Sequence, residues 1–169
     1  MSSPNRRLRA GIVGGGRGAF IGTVHRIAAE LDGEASVVAG AMSADPANAR
    51  ASAAAWHLDR SYDSYEAMAR EEMKRADGID FAIVATPNHM HYPVAKTFLD
   101  AGIHVICDKP LAFSLEEAGQ FVALAQQSHG LTVRLRERGR DHERVRPVRS
   151  RGDVHDAQFY ARADNLASY

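Results

Sequence analysis

The sequence predicts an α/β fold in which helices cover both faces of a doubly wound parallel sheet. Short apolar runs that suit strands alternate along the first 131 residues with segments whose apolar positions recur at helical spacing. The strand-like runs are continuously apolar, which is typical of strands buried on both faces. The first of them ends in a cluster of glycines and leads directly into a helix-like segment, a turn typical of such sheets.

The composition is that of a globular domain with no strong charge bias. The 169 residues are 45% hydrophobic and 25% charged, and 21 basic residues balance 21 acidic ones. A net charge of zero favours neither nucleic acid nor an anionic membrane as a partner. No apolar run approaches the roughly 20 residues that cross a bilayer. We therefore expect a cytoplasmic protein, with the single cysteine, Cys107, as an inert buried thiol.

The first three elements follow from apolar patterning. Residues 8–14 (LRAGIVG) predict a strand closed by glycines, and residues 35–42 (ASVVAGAM) predict a second strand. Between them, residues 19–31 predict a helix. The apolar positions at helical spacing in this segment are Phe20, Val24, Ile27, Ala28 and Leu31.

Two further helices precede the third predicted strand. Residues 44–58 predict a helix that Asp45 caps, with Pro46 in the first position, where a missing N–H costs nothing. Residues 63–78 predict another helix, which ends near Gly78.

The most apolar strand candidate is residues 79–87 (IDFAIVATP), which Pro87 closes because proline cannot donate into a central ladder. A helix at 91–102 and a strand at 103–107 follow. The last helix, 114–130, has the best-defined limits. Its start is a capping box formed by Ser114 and Glu117, and its end is Gly130.

The regular alternation stops after residue 133. Residues 134–153 hold eight arginines, lack a helical apolar stripe and are interrupted by glycine and proline. We expect residues 1–133 to form the domain and residues 134–169 to be an irregular arginine-rich tail. The tail is either a basic segment that contacts phosphates or the product of a shifted reading frame. Six acids interrupt it and no recognition fold accompanies it, so we favour the second explanation.

The glycine cluster lies where the pyrophosphate of a dinucleotide would approach a helix start. Gly14 and Gly16 match the first two positions of the G-x-G-x-x-G/A pattern. For the third position, Ala19 has the expected spacing, whereas Gly22 requires an insertion. The alternative is a glycine-rich turn without a ligand, which the strand–turn–helix context disfavours.

Ser43 stands where the second strand ends, a place at which a carboxylate would accept hydrogen bonds from ribose hydroxyls. A neutral serine removes the repulsion that a carboxylate exerts on a 2′-phosphate, so the sequence fits NAD or NADP. Asp45 competes for the ribose role but is better explained as the helix cap. Either Arg17 or Arg50 could pair with a 2′-phosphate.

Three segments follow one another in a characteristic order: GIVGGGRGAFIGTVH, ATPNHMHYPVA and VICDKPLAFSLEEA. Together, over about residues 7–131, they resemble the nucleotide-binding half of the Gfo/Idh/MocA family of NAD(P)-dependent oxidoreductases. The resemblance implies a Rossmann-like NAD(P)-binding domain and a small polyol or sugar substrate. The second domain of the family, which supplies most substrate contacts and the oligomer interface, has no counterpart in residues 132–169.

The resemblance also implies site residues by position. The segment beside the nicotinamide ribose is matched by Thr86-Pro87-Asn88 and His91, and the family's Glu-Lys-Pro by Asp108-Lys109-Pro110. Lys109 is the implied catalytic residue, since an ammonium group stabilises the charge that develops when a substrate hydroxyl loses its proton. The full set of expected cofactor-binding residues is Gly14, Gly16, Arg17, Phe20, Ile21, Gly22, Ser43, Thr86, Pro87, Asn88, His91, Asp108, Lys109 and Pro110.

Three functions are compatible with these observations. The favoured one is an NAD(P)-dependent oxidoreductase of the sugar or cyclitol dehydrogenase type, present here as its nucleotide-binding domain. The alternative is a dinucleotide-binding module without turnover, because the substrate domain is missing. Nucleic-acid binding depends on the tail alone and is disfavoured. His89 and His91 have no cysteine or carboxylate cluster beside them and fall short of a metal site.

Overall fold

The computed structural model describes residues 6–108, 110, 112, 114–127 and 133–134, and these form a parallel sheet with helices on both faces. The strands are β1 (Leu8–Gly14), β2 (Ala35–Ala41), β3 (Arg60–Ser61), β4 (Phe81–Ala85), β5 (His104–Cys107) and β6 (Val133–Arg134). The helices are α1 (Phe20–Glu30), α2 (Pro46–Ala55), α3 (Tyr65–Glu72), α4 (His91–Asp100) and α5 (Leu115–Gln127), with a short 3₁₀ turn at Asn88–Met90.

The strand order is β3-β2-β1-β4-β5-β6, and every adjacent pair is parallel. The chain leaves β1 toward β2 on one side and later returns to β4 on the other. This reversal makes the carboxyl ends of β1 and β4 the topological switch point, where open α/β sheets bind ligands. The predicted doubly wound parallel sheet is therefore confirmed.

Two apolar clusters, one on each face of the sheet, form the core. On one face, Ile12 and Ile83 pack with Ala53 of α2 and Ile21 of α1. The larger cluster, on the other face, joins the sheet to α3, α4 and α5. Its largest fully buried members include Met68, Phe98 and Phe121.

Helix α1 turns its small residues toward the sheet. The predicted helix is confirmed, but three of the apolar side chains at helical spacing are exposed: Phe20, Ile27 and Leu31. The buried residue of the helix is Gly22, which lies against Gly15 of the preceding turn. Close approach of two backbones therefore decides which side of α1 faces the sheet.

Predicted caps are confirmed at two helices. Asp45 Oδ1 accepts a hydrogen bond from the amide of Ala47 at 3.0 Å, and Pro46 begins α2. Ser114 Oγ accepts from the amide of Glu117 at 3.1 Å at the start of α5. The predicted end of α5 at Gly130 and the tail from residue 135 onward lie outside the described residues.

Three elements differ from the sequence-based expectation. One is β6, since Arg134 pairs with Ile106 of β5 although residues from 134 onward were expected to form an irregular tail. The helix predicted over 63–78 is wrong in length, since α3 ends at Glu72. The side chain of Glu72 turns back to bind Ile79 N at 3.0 Å, so the intervening residues form turns rather than a helix. Strand β3 was not expected, because two polar residues give no apolar pattern.

Carboxylates hold the chain at the two positions just before β4. Glu72 accepts a hydrogen bond from the amide of Ile79. Asp80 accepts from the amide of Arg9 at 2.7 Å and from both Nη atoms of Arg6 at 2.6 and 2.8 Å. Burial raises the pKa of Asp80, but the hydrogen bonds from Arg6 and Arg9 outweigh it, so that the net pKa is lowered. The ionised Asp80 therefore stabilises the pairing of β4 with β1.

No helix in the described part of the chain is long and apolar enough to span a bilayer.

Candidate functional site

The predicted site residues that the structure describes gather at the carboxyl edge of the sheet. Because all strands are parallel, Gly14 at the end of β1, Ala85 at the end of β4 and Cys107 at the end of β5 point to the same edge. The segments that leave these strands carry the glycine turn, the Thr-Pro-Asn motif and the Asp-Lys-Pro triplet. Three motifs distant in sequence thus meet at the switch point.

The glycine turn requires glycine at several of its positions for different reasons. Gly14 and Gly15 have φ angles of +79° and +71°, a backbone conformation that residues with a Cβ atom rarely adopt. A Cβ atom on Gly15 would lie 2.7 Å from Gly22 Cα, and one on Gly22 would lie 2.7 Å from the carbonyl oxygen of Gly15. Gly22 thus provides the close helix–strand packing of the third glycine, whereas Ala19 is the exposed residue that precedes α1.

Helix α2 holds the outer part of the turn. The amide of Gly16 donates to Met42 O at 3.0 Å, next to the end of β2, and the amide of Arg17 donates to Ser52 Oγ at 2.9 Å. The Ser52 hydroxyl in turn donates to Asn48 Oδ1 at 3.1 Å. Ser52 and Asn48 were not predicted from the sequence. The only signal was the presence of two short polar residues, four positions apart, in an alanine-rich helix.

The short polar residues after β2 shape the start of α2. Ser43 Oγ accepts from the amide of Asp45 at 3.1 Å, and Asp45 accepts from Ala47 as described. The capping role of Asp45 is confirmed. Of the two arginines considered for a 2′-phosphate, Arg50 lies 3.6 Å from Asp63, whereas Arg17 is exposed and has no ion pair within the described residues.

A buried histidine joins the segments that leave β4 and β5. The ring of His91, 2% exposed, has Nδ1 2.7 Å from Pro110 O and Nε2 3.1 Å from Thr86 O. Both ring nitrogens therefore face backbone carbonyls inside the protein. Thr86 Oγ1 is also buried, but it has no hydrogen-bond partner among the residues that the structure describes.

The Asp-Lys-Pro triplet begins beside α1. Asp108 Oδ2 lies 3.5 Å from His25 Nε2. This distance allows an ion pair, but the two atoms are not aligned for a hydrogen bond. His25 was not singled out by sequence analysis, although it lies three residues after Gly22. Lys109, the expected catalytic residue, lies outside the described residues.

The thiol at the end of β5 is unsuited to nucleophilic chemistry. Burial, followed by the negative charge of Asp108, raises the pKa of Cys107 to about 12. Its expected burial is confirmed, at 1% exposure. Within the described ranges, no three residues of the His, Cys, Asp or Glu types lie close enough to hold a metal ion.

A parallel sheet with this strand order, a glycine turn into the first helix and converging strand exits defines a dinucleotide-binding Rossmann domain. The family is also clear, because the Gfo/Idh/MocA model, described as an oxidoreductase family with an NAD-binding Rossmann fold, matches residues 8–135. The chain belongs to this family.

Curated relatives agree with the family assignment. The uncharacterized oxidoreductase YfiI of Bacillus subtilis is 41% identical over 126 residues, covering 73% of this chain and 32% of the relative. Inositol 2-dehydrogenase of Corynebacterium glutamicum is 33% identical over 127 residues, covering 73% of this chain and 34% of the relative. The chain thus spans about a third of the length of these relatives.

Solved structures agree as well. An oxidoreductase from Sinorhizobium meliloti superposes with a TM-score of 0.72 and 47% identity, covering 77% of this chain and 36% of its own. An inositol dehydrogenase homologue from Azotobacter vinelandii, solved with NAD⁺, has a TM-score of 0.74 and 38% identity, covering 77% and 34% of the two chains.

Proposed function

We propose that this domain binds a nicotinamide dinucleotide, NAD or NADP, along the carboxyl edge of its sheet. The observation that carries the proposal is the close approach of Gly15 and Gly22 at the switch point, where a Cβ atom on either residue would meet the backbone of the other, so that the start of α1 is held next to the end of β1. The similarity of this domain to the Azotobacter vinelandii homologue, which was solved with NAD⁺, supports the proposed dinucleotide binding. We propose that the dinucleotide-binding domain ends close to residue 133, with Arg134 as the last residue of β6, and that the arginine-rich residues beyond it form no independent domain.

The residues present fit such a ligand along its length. Gly14, Gly16 and Gly22 would allow the pyrophosphate to approach the backbone at the start of α1, with Phe20 and Ile21 beside it. Thr86, Pro87 and Asn88 would line the nicotinamide ribose, and the buried, unpartnered Thr86 Oγ1 is a polar atom available to a ligand. His91 would act through its neighbours, because both its ring nitrogens face backbone carbonyls.

We propose that the complete reaction is an oxidation or reduction of a small polyol or sugar. A bound nicotinamide supplies the hydride acceptor or donor. Lys109 would be the catalytic residue. Its neutral amine would take up the hydroxyl proton during oxidation, and its ammonium group would return the proton during reduction and stabilise charge on the substrate oxygen. Asp108 and Pro110 would fix the backbone on either side of Lys109. Inositol 2-dehydrogenase of Corynebacterium glutamicum supports a cyclitol among the candidate substrates.

The first experiment tests dinucleotide binding on the full chain. Titration with NADH and with NADPH, followed by nicotinamide fluorescence, is expected to give saturable binding of at least one of them. Gly22→Leu would force a side chain against the backbone of Gly15 and displace the start of α1, so it should abolish binding, whereas Gly119→Leu, on α5 with no neighbour within 4 Å, should not. No binding of either dinucleotide would refute the proposed function.

The second experiment separates an enzyme from a binding module. Polyols and aldoses are offered with each dinucleotide, and absorbance at the nicotinamide band reports turnover. Lys109→Ala should abolish any turnover and keep dinucleotide affinity within about tenfold. The control is Lys96→Ala, which removes an exposed lysine paired with Asp100 on α4. Binding of a dinucleotide by the wild type without turnover would favour the binding module. Loss of dinucleotide binding in Lys109→Ala would contradict the catalytic role proposed for Lys109.

A further inference from the structure

Ser52 connects helix α2 to the glycine turn through a single hydroxyl group. Its Oγ accepts from Arg17 N at 2.9 Å and donates to Asn48 Oδ1 at 3.1 Å, and the residue is 1% exposed. The amide of Asn48 reaches the carbonyl oxygen of Arg17 at 3.5 Å. Both backbone groups of Arg17 are therefore held by side chains of α2.

This connection places Arg17 beside the end of β2. The preceding residue, Gly16, donates to Met42 O at 3.0 Å, and Met42 directly follows β2. A Cβ atom on Gly16 would lie 2.6 Å from Met42 O and 3.0 Å from Ser52 Oγ, so the turn is packed against both. The end of β2 is where the adenosine ribose of a dinucleotide is recognised in this fold.

The charges at this end of the site favour an anion. Ser43 is neutral, and its hydroxyl accepts from the amide of Asp45. The carboxylate of Asp45, two residues further along, caps α2 through Oδ1. Arg17 is exposed and, within the described part of the chain, has no acidic partner, in contrast to Arg50 with its neighbour Asp63.

We propose that Ser52 is a positioning residue that fixes Arg17 beside the end of β2, and that Arg17 thereby selects the dinucleotide with a 2′-phosphate, NADP. A guanidinium group offers several N–H donors in one plane and forms charge-assisted hydrogen bonds with phosphate oxygens. The inference depends on the proposed function, because it concerns one end of the same ligand.

The test compares NADPH and NADH affinities on the full chain by fluorescence titration. The wild type should bind NADPH at least tenfold more tightly than NADH. Arg17→Ala should weaken NADPH binding about tenfold and leave NADH binding within about threefold. Arg50→Ala removes the same charge from a paired arginine on α2 and should leave both affinities unchanged.

Ser52→Ala and Asn48→Ala test the positioning step. Each should lower the preference for NADPH several-fold, because Arg17 keeps its charge but loses its anchor. Ser52→Thr keeps the hydroxyl and should restore the preference, which a general loss of stability would not predict. Should Ser52→Ala fail to fold, Asn48→Ala carries the same test.

The outcomes separate the inference from the proposed function. Binding of NADH with no preference for NADPH, or an equal loss of both in Arg17→Ala, would overturn the role of Arg17 and leave the proposed function intact. A preference that depends on Arg17 but is unchanged in both anchor variants would overturn the role of Ser52. Binding of neither dinucleotide would refute the proposed function itself.

Discussion

His91 lies with Nδ1 2.7 Å from the carbonyl oxygen of Pro110, nineteen residues further along the chain. Its other ring nitrogen is 3.1 Å from Thr86 O, so one buried ring connects the exits of β4 and β5. A neutral imidazole has one N–H and donates to one of these carbonyls, whereas the doubly protonated ring donates to both. The relative placement of the Thr-Pro-Asn and Asp-Lys-Pro motifs depends on this contact.

His91→Leu should therefore lower both stability and dinucleotide affinity. The substitution leaves at least one of the two carbonyls without its donor, at a cost of about 1–3 kcal/mol for each buried group left unsatisfied. Urea unfolding measures the first effect and NADH titration the second. His89→Leu is the matched control, since His89 is exposed in the same segment and should change stability by less than about 0.5 kcal/mol. Equal effects of the two substitutions would contradict the role given to His91.

Gly22→Ala should disrupt the glycine turn even though alanine favours helices. The added methyl group would meet the backbone of Gly15, which cannot move without shifting β1 or α1. We expect a loss of about 1–3 kcal/mol and at least tenfold weaker dinucleotide binding. Gly119→Ala, in the open on α5, should instead gain roughly 0.5–1 kcal/mol. Thermal unfolding compares them, and a neutral Gly22→Ala would mean that the close approach is not required.

Glu72→Gln should be among the most destabilising single substitutions. Glu72 is fully buried and accepts from Arg60 Nε at 2.6 Å, Tyr62 Oη at 2.7 Å and Ile79 N at 3.0 Å. Removing its charge leaves Arg60 without a full partner, and breaking a buried pair in this way costs about 3–5 kcal/mol. Denaturant unfolding measures it. Glu71→Gln breaks only exposed pairs, with Arg70 and Lys74, and should cost less than about 1 kcal/mol.

The raised pKa of Tyr62 should be visible in the pH dependence of the free energy of unfolding. Burial, then the hydrogen bond to Glu72 and its charge, raise the pKa of Tyr62 to about 12, against about 10 in the unfolded chain. The unfolded state therefore loses its proton first, and the stabilisation present below pH 10 is lost as pH rises toward about 12. Urea midpoints across this range should decline less steeply in Tyr62→Phe. An identical decline in both chains would contradict the shift.

The thiol of Cys107 should be unreactive in the folded chain. A pKa of about 12 leaves little thiolate at neutral pH, and burial excludes the reagent. Labelling with a thiol reagent should follow global unfolding and become fast in denaturant. Rapid labelling of the native chain would show that the end of β5 opens on its own.

Periodicity and caps sufficed to predict most elements of the fold. Strand β1 and the starts of α2 and α5 follow from apolar runs and local side-chain–backbone hydrogen bonds, which depend on neighbouring residues only. Strand β3 and the early end of α3 depend on Glu72 and its distant partners, and no local pattern reveals such pairings.

The same distinction applies to the candidate site. The motif residues were predicted from their order along the chain, and the structure brings the described ones to one edge of the sheet. The choice between Ala19 and Gly22 required the distance between two backbones. Ser52 and His25 contact the motifs across the fold, so their distance from the motifs along the chain does not predict these contacts.

The anchored start of β4 has a consequence for the depth of the site. At one edge of the sheet, Glu72 binds the amide of Ile79, and the carboxylate of Asp80 binds the amide of Arg9. Only the residues of β4, Phe81–Ala85, separate Asp80 from Thr86 at the other edge. The five residues of β4 therefore set the distance between the anchored start of the strand and the site at its end. Inserting or deleting one residue would move Thr86 by about 3.3 Å and turn it to the opposite face. A change in the length of β4 would therefore relocate the edge of the sheet where a ligand would bind.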